Sequence, residues 1–188
     1  GRPKPVTHLL ADLAAEAAGH SELLGPHDRV AALAPPHHIY GFLFAVLGPA
    51  LRDRPTLDLT GAAPGAAARA LAGGDIVVAT PFLWEILLRS GAPLPAALGV
   101  TSTAPAPAQL WPDLASAGLR GLIEVHGSTE TAGLGWRAAP QDPFAPLPHV
   151  ERRGDRLFSR RSGEELPAPD RFAWESGGYR PVGRRDGA

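Results

Sequence analysis

Apolar residues along this chain fall into short runs that follow two different periods. Some runs are short, continuous and rich in valine, isoleucine and leucine, which is typical of buried strands. Others recur every three or four residues, which is typical of helices that pack on a sheet. The predicted strands cover residues 29–33, 75–79, 98–101 and 122–126, and the predicted helices cover 5–18, 39–51, 64–72, 81–89 and 108–117. This alternation predicts an α/β fold with a mostly parallel sheet and flanking helices.

The pattern changes after Pro148, where short runs are separated by glycine-containing turns. We predict strands over 156–160, 171–174 and 179–182. The chain is therefore predicted to divide into an α/β unit over residues 1–144 and a small β lobe over 145–188. Arginines cluster at 152, 153, 156, 160 and 161, but acidic residues lie among them. This mixture favours a solvated hairpin face over a nucleic-acid site.

Composition excludes several classes of partner. The 188 residues carry a formal net charge of −1, which gives no overall attraction to nucleic acid or to an anionic membrane. The longest apolar run, residues 41–51, is about half the length needed to cross a bilayer. We see no secretory signal and no cysteine, so we expect a cytoplasmic protein without disulfides. Methionine is also absent, so we expect Gly1 to lie inside a longer protein.

The segment most informative about chemistry is residues 121–133, GLIEVHGSTETAG. An apolar strand runs into Gly127 and then into Ser128, Thr129 and Glu130. Hydroxyls and a carboxylate at the carboxyl end of a strand are suited to holding phosphate and Mg²⁺. The local pattern leaves open a second interpretation, a turn whose Ser or Thr caps a following helix.

Two other chemistries find little support. A serine hydrolase requires G-x-S-x-G, and the residues on either side of Ser128 do not fit that pattern. Metal binding by His37 and His38 is the second. These residues are adjacent, so their side chains point apart on regular structure, and no H-E-x-x-H pattern follows.

Three motifs in order resemble those of the adenylate-forming superfamily, which includes acyl- and aryl-CoA synthetases, nonribosomal peptide adenylation domains and firefly luciferase. Residues 126–130, HGSTE, match the family's aromatic-Gly-Ser-Thr-Glu motif, except that His126 replaces the aromatic residue. Residues 36–41, PHHIYG, resemble the acyl-pocket segment, and residues 102–105, STAP, resemble the turn before the helix that borders adenine.

Both ends of the chain add to this resemblance. Residues 1–4, GRPK, resemble the tail of the phosphate-binding loop, and residues 183–186, GRRD, resemble the hinge before a mobile C-terminal domain. Asp170 falls where the family places a ribose-binding aspartate. The chain is therefore similar to an internal fragment of the family's large N-terminal domain.

The resemblance implies a set of site residues, each carried over from a matching motif. The implied catalytic residues are Thr129, Glu130 and Lys4, with Glu130 also the metal ligand. The implied nucleotide-binding residues are Thr103, Ala104, Pro105, His126, Gly127, Ser128, Thr129, Asp170 and Arg184, with His126 stacked on adenine. The implied acyl pocket contains His38, Tyr40 and Gly41, and Asp186 belongs to the hinge.

The resemblance also implies a reaction. A small carboxylic acid and ATP, with Mg²⁺, form an acyl- or aryl-adenylate, and CoA or phosphopantetheine, the latter on an acyl carrier protein, then accepts the acyl group. Similarity to synthetase-like proteins of aryl-polyene pathways favours an aryl or short acyl acid. The family's catalytic lysine lies beyond Ala188, so we expect the isolated chain to be inactive. The alternative is a degenerate, non-catalytic domain that binds a nucleotide, an acyl group or a partner protein, with no role for nucleic acid or membrane.

Overall fold

A seven-stranded sheet forms the centre of the protein. The structure is a computed structural model, and it describes residues 5–185. The strands of the sheet are β1 Arg29–Ala32, β2 Thr56–Asp58, β3 Asp75–Val78, β4 Leu98–Thr101, β5 Gly121–Ser128, β6 Ala132–Arg137 and β7 Ala145–Pro146. Their order across the sheet is β2-β1-β3-β4-β5-β6-β7. The prediction of an α/β fold with a mostly parallel sheet is confirmed.

Strands β1 to β5 are parallel, whereas β6 and β7 add to one edge in antiparallel fashion. The four strands predicted from apolar runs are β1, β3, β4 and β5, the buried centre of the sheet. Strand β2 escaped prediction because it has only three residues and lies at an edge, where little apolar surface is needed.

Six α-helical segments surround this sheet. They are α1 Leu10–Leu24, α2 Ile39–Phe42, α3 Gly48–Leu51, α4 Pro64–Ala70, α5 Pro81–Arg89 and α6 Leu110–Ala117. Alternate strand residues face opposite sides, so Ile76 and Val78 pack with α1 and α2 residues while Val77 packs with α4, α5 and α6 residues. In the described part of the chain, no helix has the length and apolar character needed to cross a membrane.

Helix α1 differs from its predicted range of 5–18. It begins at Leu10 and continues to Leu24, where Gly25 adopts a φ of 65°. Leu9 and Leu10, two apolar residues within the predicted range, are both exposed. The buried face contains Leu13, Glu16, Ala17, His20 and Leu24, so two polar side chains occupy core positions.

The predicted helix over 39–51 is present but is not uniform. A π-helical turn, Leu43–Leu47, joins α2 to α3. Near its start, Tyr40 is buried and its hydroxyl donates to the carbonyls of Val100 at 2.7 Å and Ala79 at 3.3 Å. Burial raises the pKa of this phenol well above its usual value, so it remains a donor. These bonds attach the helix to the ends of β3 and β4.

The structure of the segment after β5 excludes one of the two interpretations of Ser128, Thr129 and Glu130 that the sequence left open. A tight hairpin, not a helix, follows Ser128, because β6 returns antiparallel to β5 with Ala132 opposite Ser128. The idea that Ser or Thr caps a following helix is therefore wrong. Sequence reasoning missed β6 because its glycines, at 133 and 135, are unusual in a strand.

Two small antiparallel sheets complete the described structure. One pairs β8 Val150–Arg153 with β9 Arg156–Ser159, and the other pairs β10 Asp170–Glu175 with β11 Gly178–Arg184. Two arginines of the first hairpin form exposed ion pairs with Glu151 and Glu165, and Arg161, just after the hairpin, pairs with Asp12. This mixed-charge surface agrees with a solvated face. The division of the chain at residue 144 stays a prediction. The first strand of the predicted lobe, β7, pairs with β6 of the main sheet.

The buried hydroxyl of Tyr40 gives a first prediction about stability. We expect Tyr40→Phe to lower the free energy of unfolding by about 1–2 kcal/mol, because two strand carbonyls lose their donor in a buried position. Urea denaturation measures the change, with Thr7→Val at an exposed position as the control. An unchanged urea midpoint for Tyr40→Phe would show that water replaces the phenol at no cost.

Candidate active site

Two joined clefts lie at the carboxyl edge of the parallel strands. The first has a volume of about 410 Å³ and the second about 540 Å³. Their walls share Ser102, Thr103, Val125, Gly127 and Arg184. In sheets of this type, ligands bind outside the carboxyl ends of the strands. The two clefts therefore lie next to each other at this edge of the sheet.

The β5–β6 hairpin provides the polar wall of the first cleft. Ser128 and Thr131 close the turn: the Ser128 N–H donates to the Thr131 hydroxyl at 3.2 Å, and the Thr131 N–H donates to the Ser128 hydroxyl at 3.3 Å. Thr129 and Glu130 occupy the tip between them and line the cleft, with Thr129 exposed. The His8 imidazole lies 2.7 Å from the Thr129 carbonyl oxygen and fixes the tip from outside.

His126 lies in the second cleft but is mostly enclosed. Its Nδ1 is 3.0 Å from the Tyr179 hydroxyl and its Nε2 is 3.3 Å from an Asp170 carboxylate oxygen. Rings of Phe144 and Phe172 flank it. Burial lowers the pKa of His126 below its usual value, and Asp170 opposes that shift. The imidazole therefore makes specific polar contacts, which the sequence-based expectation of adenine stacking did not include.

The loop after β4 forms the opposite wall of the second cleft. Thr103, Ala104 and Pro105 are exposed and line it, and Thr103 has a φ of 82°. The loop is held from behind by Glu124, which accepts from the Ala106 N–H at 2.9 Å. Arg137, a residue that sequence reasoning missed, pairs with Glu124 at 2.6 Å and also lines the cleft.

Asp170 and Arg184 lie opposite each other at the ends of β10 and β11. Both line the second cleft, and Arg184 also lines the first. They are distant in sequence from the β5–β6 hairpin, yet the fold places them on the side of the sheet where Thr129 lies. Their roles in binding a nucleotide stay a prediction.

The three predicted acyl-pocket residues occupy different positions. His38 is exposed and lines the first cleft. Tyr40 also lines it, although its hydroxyl is engaged by strand carbonyls. Gly41 is buried against the preceding turn, where a Cβ atom would lie only 2.1 Å from the Pro35 carbonyl oxygen. Its lack of a side chain allows α2 to pack on this turn.

Glu16 is a cleft residue that sequence reasoning missed. It lines the first cleft from α1, and Leu43 and Phe44 line the same cleft. A signal was available, because Glu16 and His20 occupy the helical face that also contains Leu13 and Ala17, where apolar residues are expected.

Two predicted residues, Lys4 and Asp186, lie outside the described residues. Within residues 5–185, no group of three or more His, Cys, Asp or Glu side chains is arranged to hold a metal ion. A site for Mg²⁺ needs less, because this ion is usually held by one or two carboxylates together with the phosphates of a substrate. Glu130 beside the exposed Thr129 fits that pattern.

Comparison with known proteins agrees with this geometry. A family model described as AMP-binding enzyme matches residues 1–153. A 4-coumarate–CoA ligase from Rhodobacter capsulatus is 42% identical over 178 residues, 93% of this chain and 46% of that protein. A second 4-coumarate–CoA ligase, from Cereibacter sphaeroides, is 38% identical and covers 98% of this chain and 46% of its own length. The chain thus spans about half the length of the curated relatives it matches.

Solved structures show the same fold. An o-succinylbenzoate coenzyme A synthetase from Bacillus subtilis, in complex with AMP, superposes with a TM-score of 0.80 at 17% identity, over 99% of this chain and 47% of that one. ATP-bound MatB from Rhodopseudomonas palustris superposes with a TM-score of 0.76 at 19% identity, over 98% of this chain and 46% of that one. Given the extent of the family match, together with the joined clefts at the strand ends, this chain belongs to the AMP-binding enzyme family.

Proposed function

We propose that the protein is an ATP-dependent, AMP-forming ligase that joins an aryl carboxylic acid to the thiol of CoA. The observation that carries this proposal is the joined cleft, in which Thr129, Glu130, Asp170 and Arg184 meet in a chain of the AMP-binding enzyme family. The relatives named 4-coumarate–CoA ligase support an aryl acid as the substrate.

In this proposal the second cleft holds the nucleoside of ATP. The adenine lies between the loop at 103–105 and His126 with Gly127, and Asp170 accepts hydrogen bonds from the ribose hydroxyls. Arg184, at the junction of the two clefts, balances negative charge on the ribose–phosphate part. The Ser128 and Thr129 end of the hairpin faces the α-phosphate.

The first cleft holds the carboxylic acid. Its walls contain apolar and aromatic side chains, among them Ile39, Leu43, Phe44 and Val125, which suit a planar apolar ring. Its polar hairpin lies at one end, so the carboxylate of the acid is directed toward the phosphates. His38 borders the same opening and completes the proposed acyl pocket with Tyr40.

The negative charges of the two substrates determine what the site must provide for the reaction. A carboxylate oxygen attacks the α-phosphorus of ATP, a P–O bond to the leaving pyrophosphate breaks, and an acyl-adenylate forms. An anion must approach a polyanion, so preorganised donors and cations lower the barrier. Mg²⁺ held by Glu130 and the phosphates would supply positive charge there. A thiolate next attacks the acyl carbon and AMP leaves.

The thiol acceptor is proposed to be CoA because the relatives are named as CoA ligases. A phosphopantetheine arm on an acyl carrier protein presents the same thiol and is the alternative acceptor. Because ATP and CoA are both used in the cytoplasm, we propose a cytoplasmic location.

ATP–pyrophosphate exchange tests this proposal. The full-length protein that contains this chain is expected to exchange labelled pyrophosphate into ATP when 4-coumarate is present, and to release AMP when CoA is added. Nucleotide binding without exchange, over a panel of aryl and short acyl acids, would instead support a non-catalytic binding domain.

A second prediction concerns the metal ligand. We expect Glu130→Gln in the full-length protein to reduce the exchange rate by about 100-fold, because charge at the α-phosphate is less well neutralised. Thermal unfolding should change little. Glu164→Gln, at an exposed position outside the clefts described above, is the matched control. Near wild-type exchange by Glu130→Gln across a Mg²⁺ titration would show that Glu130 is only a turn residue.

A third prediction concerns His126. We expect His126→Phe to keep an aromatic surface but to lose the contact with Asp170, so the Kd of ATP should rise by about 3- to 10-fold. The dideoxy analogue of ATP lacks the ribose hydroxyls that Asp170 would accept from. Its Kd should therefore change much less, as measured by isothermal titration calorimetry. Equal losses for both nucleotides would show that the effect of His126 on ATP binding does not run through Asp170 and the ribose hydroxyls.

A further inference from the structure

Gly133, the second residue of β6, is contacted by two side chains from distant parts of the chain. Its N–H donates to Oε1 of Glu16 at 2.8 Å, and its carbonyl oxygen lies 3.0 Å from Nε2 of His149. A carbonyl oxygen only accepts, so Nε2 is the protonated nitrogen of His149. Burial lowers the pKa of His149, so near pH 7 this is the one N–H that the ring carries. Both backbone polar groups of Gly133 are therefore engaged by side chains.

Glu16 is buried where it makes this contact. Its side chain is only 3% exposed, and its Oε2 lies 3.5 Å from Nε2 of His149. An ionisable group in such a place costs free energy unless hydrogen bonds compensate it. The approach also requires glycine, because a Cβ atom at Gly133 would clash with Oε1 and with Leu147. Glu16, His149 and Gly133 thus form one unit, which we call the Gly133 clamp.

The residue before Gly133 has a strained backbone. Ala132 is buried and has a φ of 56°, a left-handed conformation that costs free energy for a residue with a Cβ atom. Such conformations persist where the surrounding structure enforces them, and they are frequent at active sites. The hydrogen bonds between Ser128 and Thr131 hold the chain before Ala132, and the Gly133 clamp holds it afterwards. The strained residue is therefore fixed from both sides.

This strained residue follows closely on the tip of the β5–β6 hairpin. Thr129 and Glu130, which we propose to face the α-phosphate and Mg²⁺, precede Ala132 by three and two residues. A change of φ at Ala132 redirects the chain at the tip, so both side chains would move within the first cleft, which they line. Displacement of a reacting or charge-stabilising group by about 1 Å is enough to slow a reaction many-fold.

We propose that Glu16 and His149 are positioning residues of the adenylation reaction. They hold Gly133 and Ala132, and through them the hairpin tip, in the conformation that directs its polar side chains at the phosphates. This inference rests on the proposed function, and it gives two residues outside the HGSTE segment a role in the same chemical step. The nucleoside lies in the second cleft, so the clamp affects turnover more than ATP binding.

A purely structural role is the competing explanation. The bond between Glu16 and Gly133 also fastens α1 to β6, so its loss lowers stability. Lower stability reduces the fraction of folded enzyme, which a thermal unfolding curve measures, but it leaves the kcat of the folded enzyme unchanged. A positioning role lowers that kcat.

The first experiment compares two replacements of Glu16 in the full-length protein. Methionine has a similar length but no strong acceptor, whereas glutamine keeps a carbonyl oxygen for the N–H of Gly133. In ATP–pyrophosphate exchange with 4-coumarate, we expect Glu16→Met to lower kcat by at least about 10-fold and to change the KM of ATP by less than about 3-fold. We expect Glu16→Gln to keep kcat within about 3-fold of the wild type.

The matched control is Glu22→Met, at an exposed position on the same helix, which should change neither kcat nor KM. All kcat values are expressed per folded enzyme. Equal kcat values for Glu16→Met and Glu16→Gln overturn the proposal.

The strain at Ala132 gives a second test, which does not require a Glu16 variant to fold. Glycine adopts a positive φ at little steric cost, so Ala132→Gly removes the strain that the clamp holds. We expect His149→Leu to lower kcat by about 5-fold in the wild-type background and by less than about 2-fold in the Ala132→Gly background. A His149→Leu effect of the same size in both backgrounds overturns the proposal.

Deuterium uptake by residues 127–134 separates failure of this proposal from failure of the proposed function. We expect Glu16→Met, and not Glu22→Met, to speed uptake in this hairpin, because the clamp no longer suppresses local opening. Unchanged uptake overturns the proposal whether or not any acid supports pyrophosphate exchange. Absence of pyrophosphate exchange by the wild type with every acid contradicts the ligase function instead.

Discussion

Five parallel strands end at one edge of the sheet, and the rest of the site depends on this common direction. Each of these strands delivers its following loop to the same side, so β4 supplies the loop at 103–105 and β5 supplies the hairpin at 128–131. Segments more than twenty residues apart in sequence are thereby brought into one cleft. The antiparallel strand β6 then leads the chain back from this edge. Gly133 of β6 contacts Glu16, and Arg137 is the last residue of the strand.

Behind the cleft, buried polar groups hold the loops in place. Glu124 accepts from the Ala106 N–H and pairs with Arg137, while the guanidinium of Arg137 lies 4.5 Å from the Phe144 ring. A buried ion pair of this kind is a weak source of net stability, but loss of one partner is costly. The main effect of this pair is to fix positions, because it joins the loop that contains residues 103–105 to β5 and β6.

His126 shows how one substitution in a motif changes the chemistry around it. A phenylalanine at this position would offer an aromatic face and no polar atom. The imidazole also bridges Tyr179 and Asp170, so the C-terminal strands β10 and β11 are attached to the end of β5. Burial raises the pKa of Tyr179 and lowers that of His126, which keeps both groups neutral near pH 7.

The sequence by itself determined the class of the fold, the four central strands and about half of the residues that line the two clefts. Apolar runs identify buried strands because burial on both faces demands them, and the HGSTE segment marks a strand end because its polarity changes abruptly. Arg137 and His149 gave no such local signal, and the signal for Glu16 was only its place on a mostly apolar helix face. Their partners, Gly133 and Glu124, are separated from them by up to 117 residues. Only the tertiary structure decided these contacts, because the groups that surround a buried polar side chain come from distant segments and not from its neighbours in the chain.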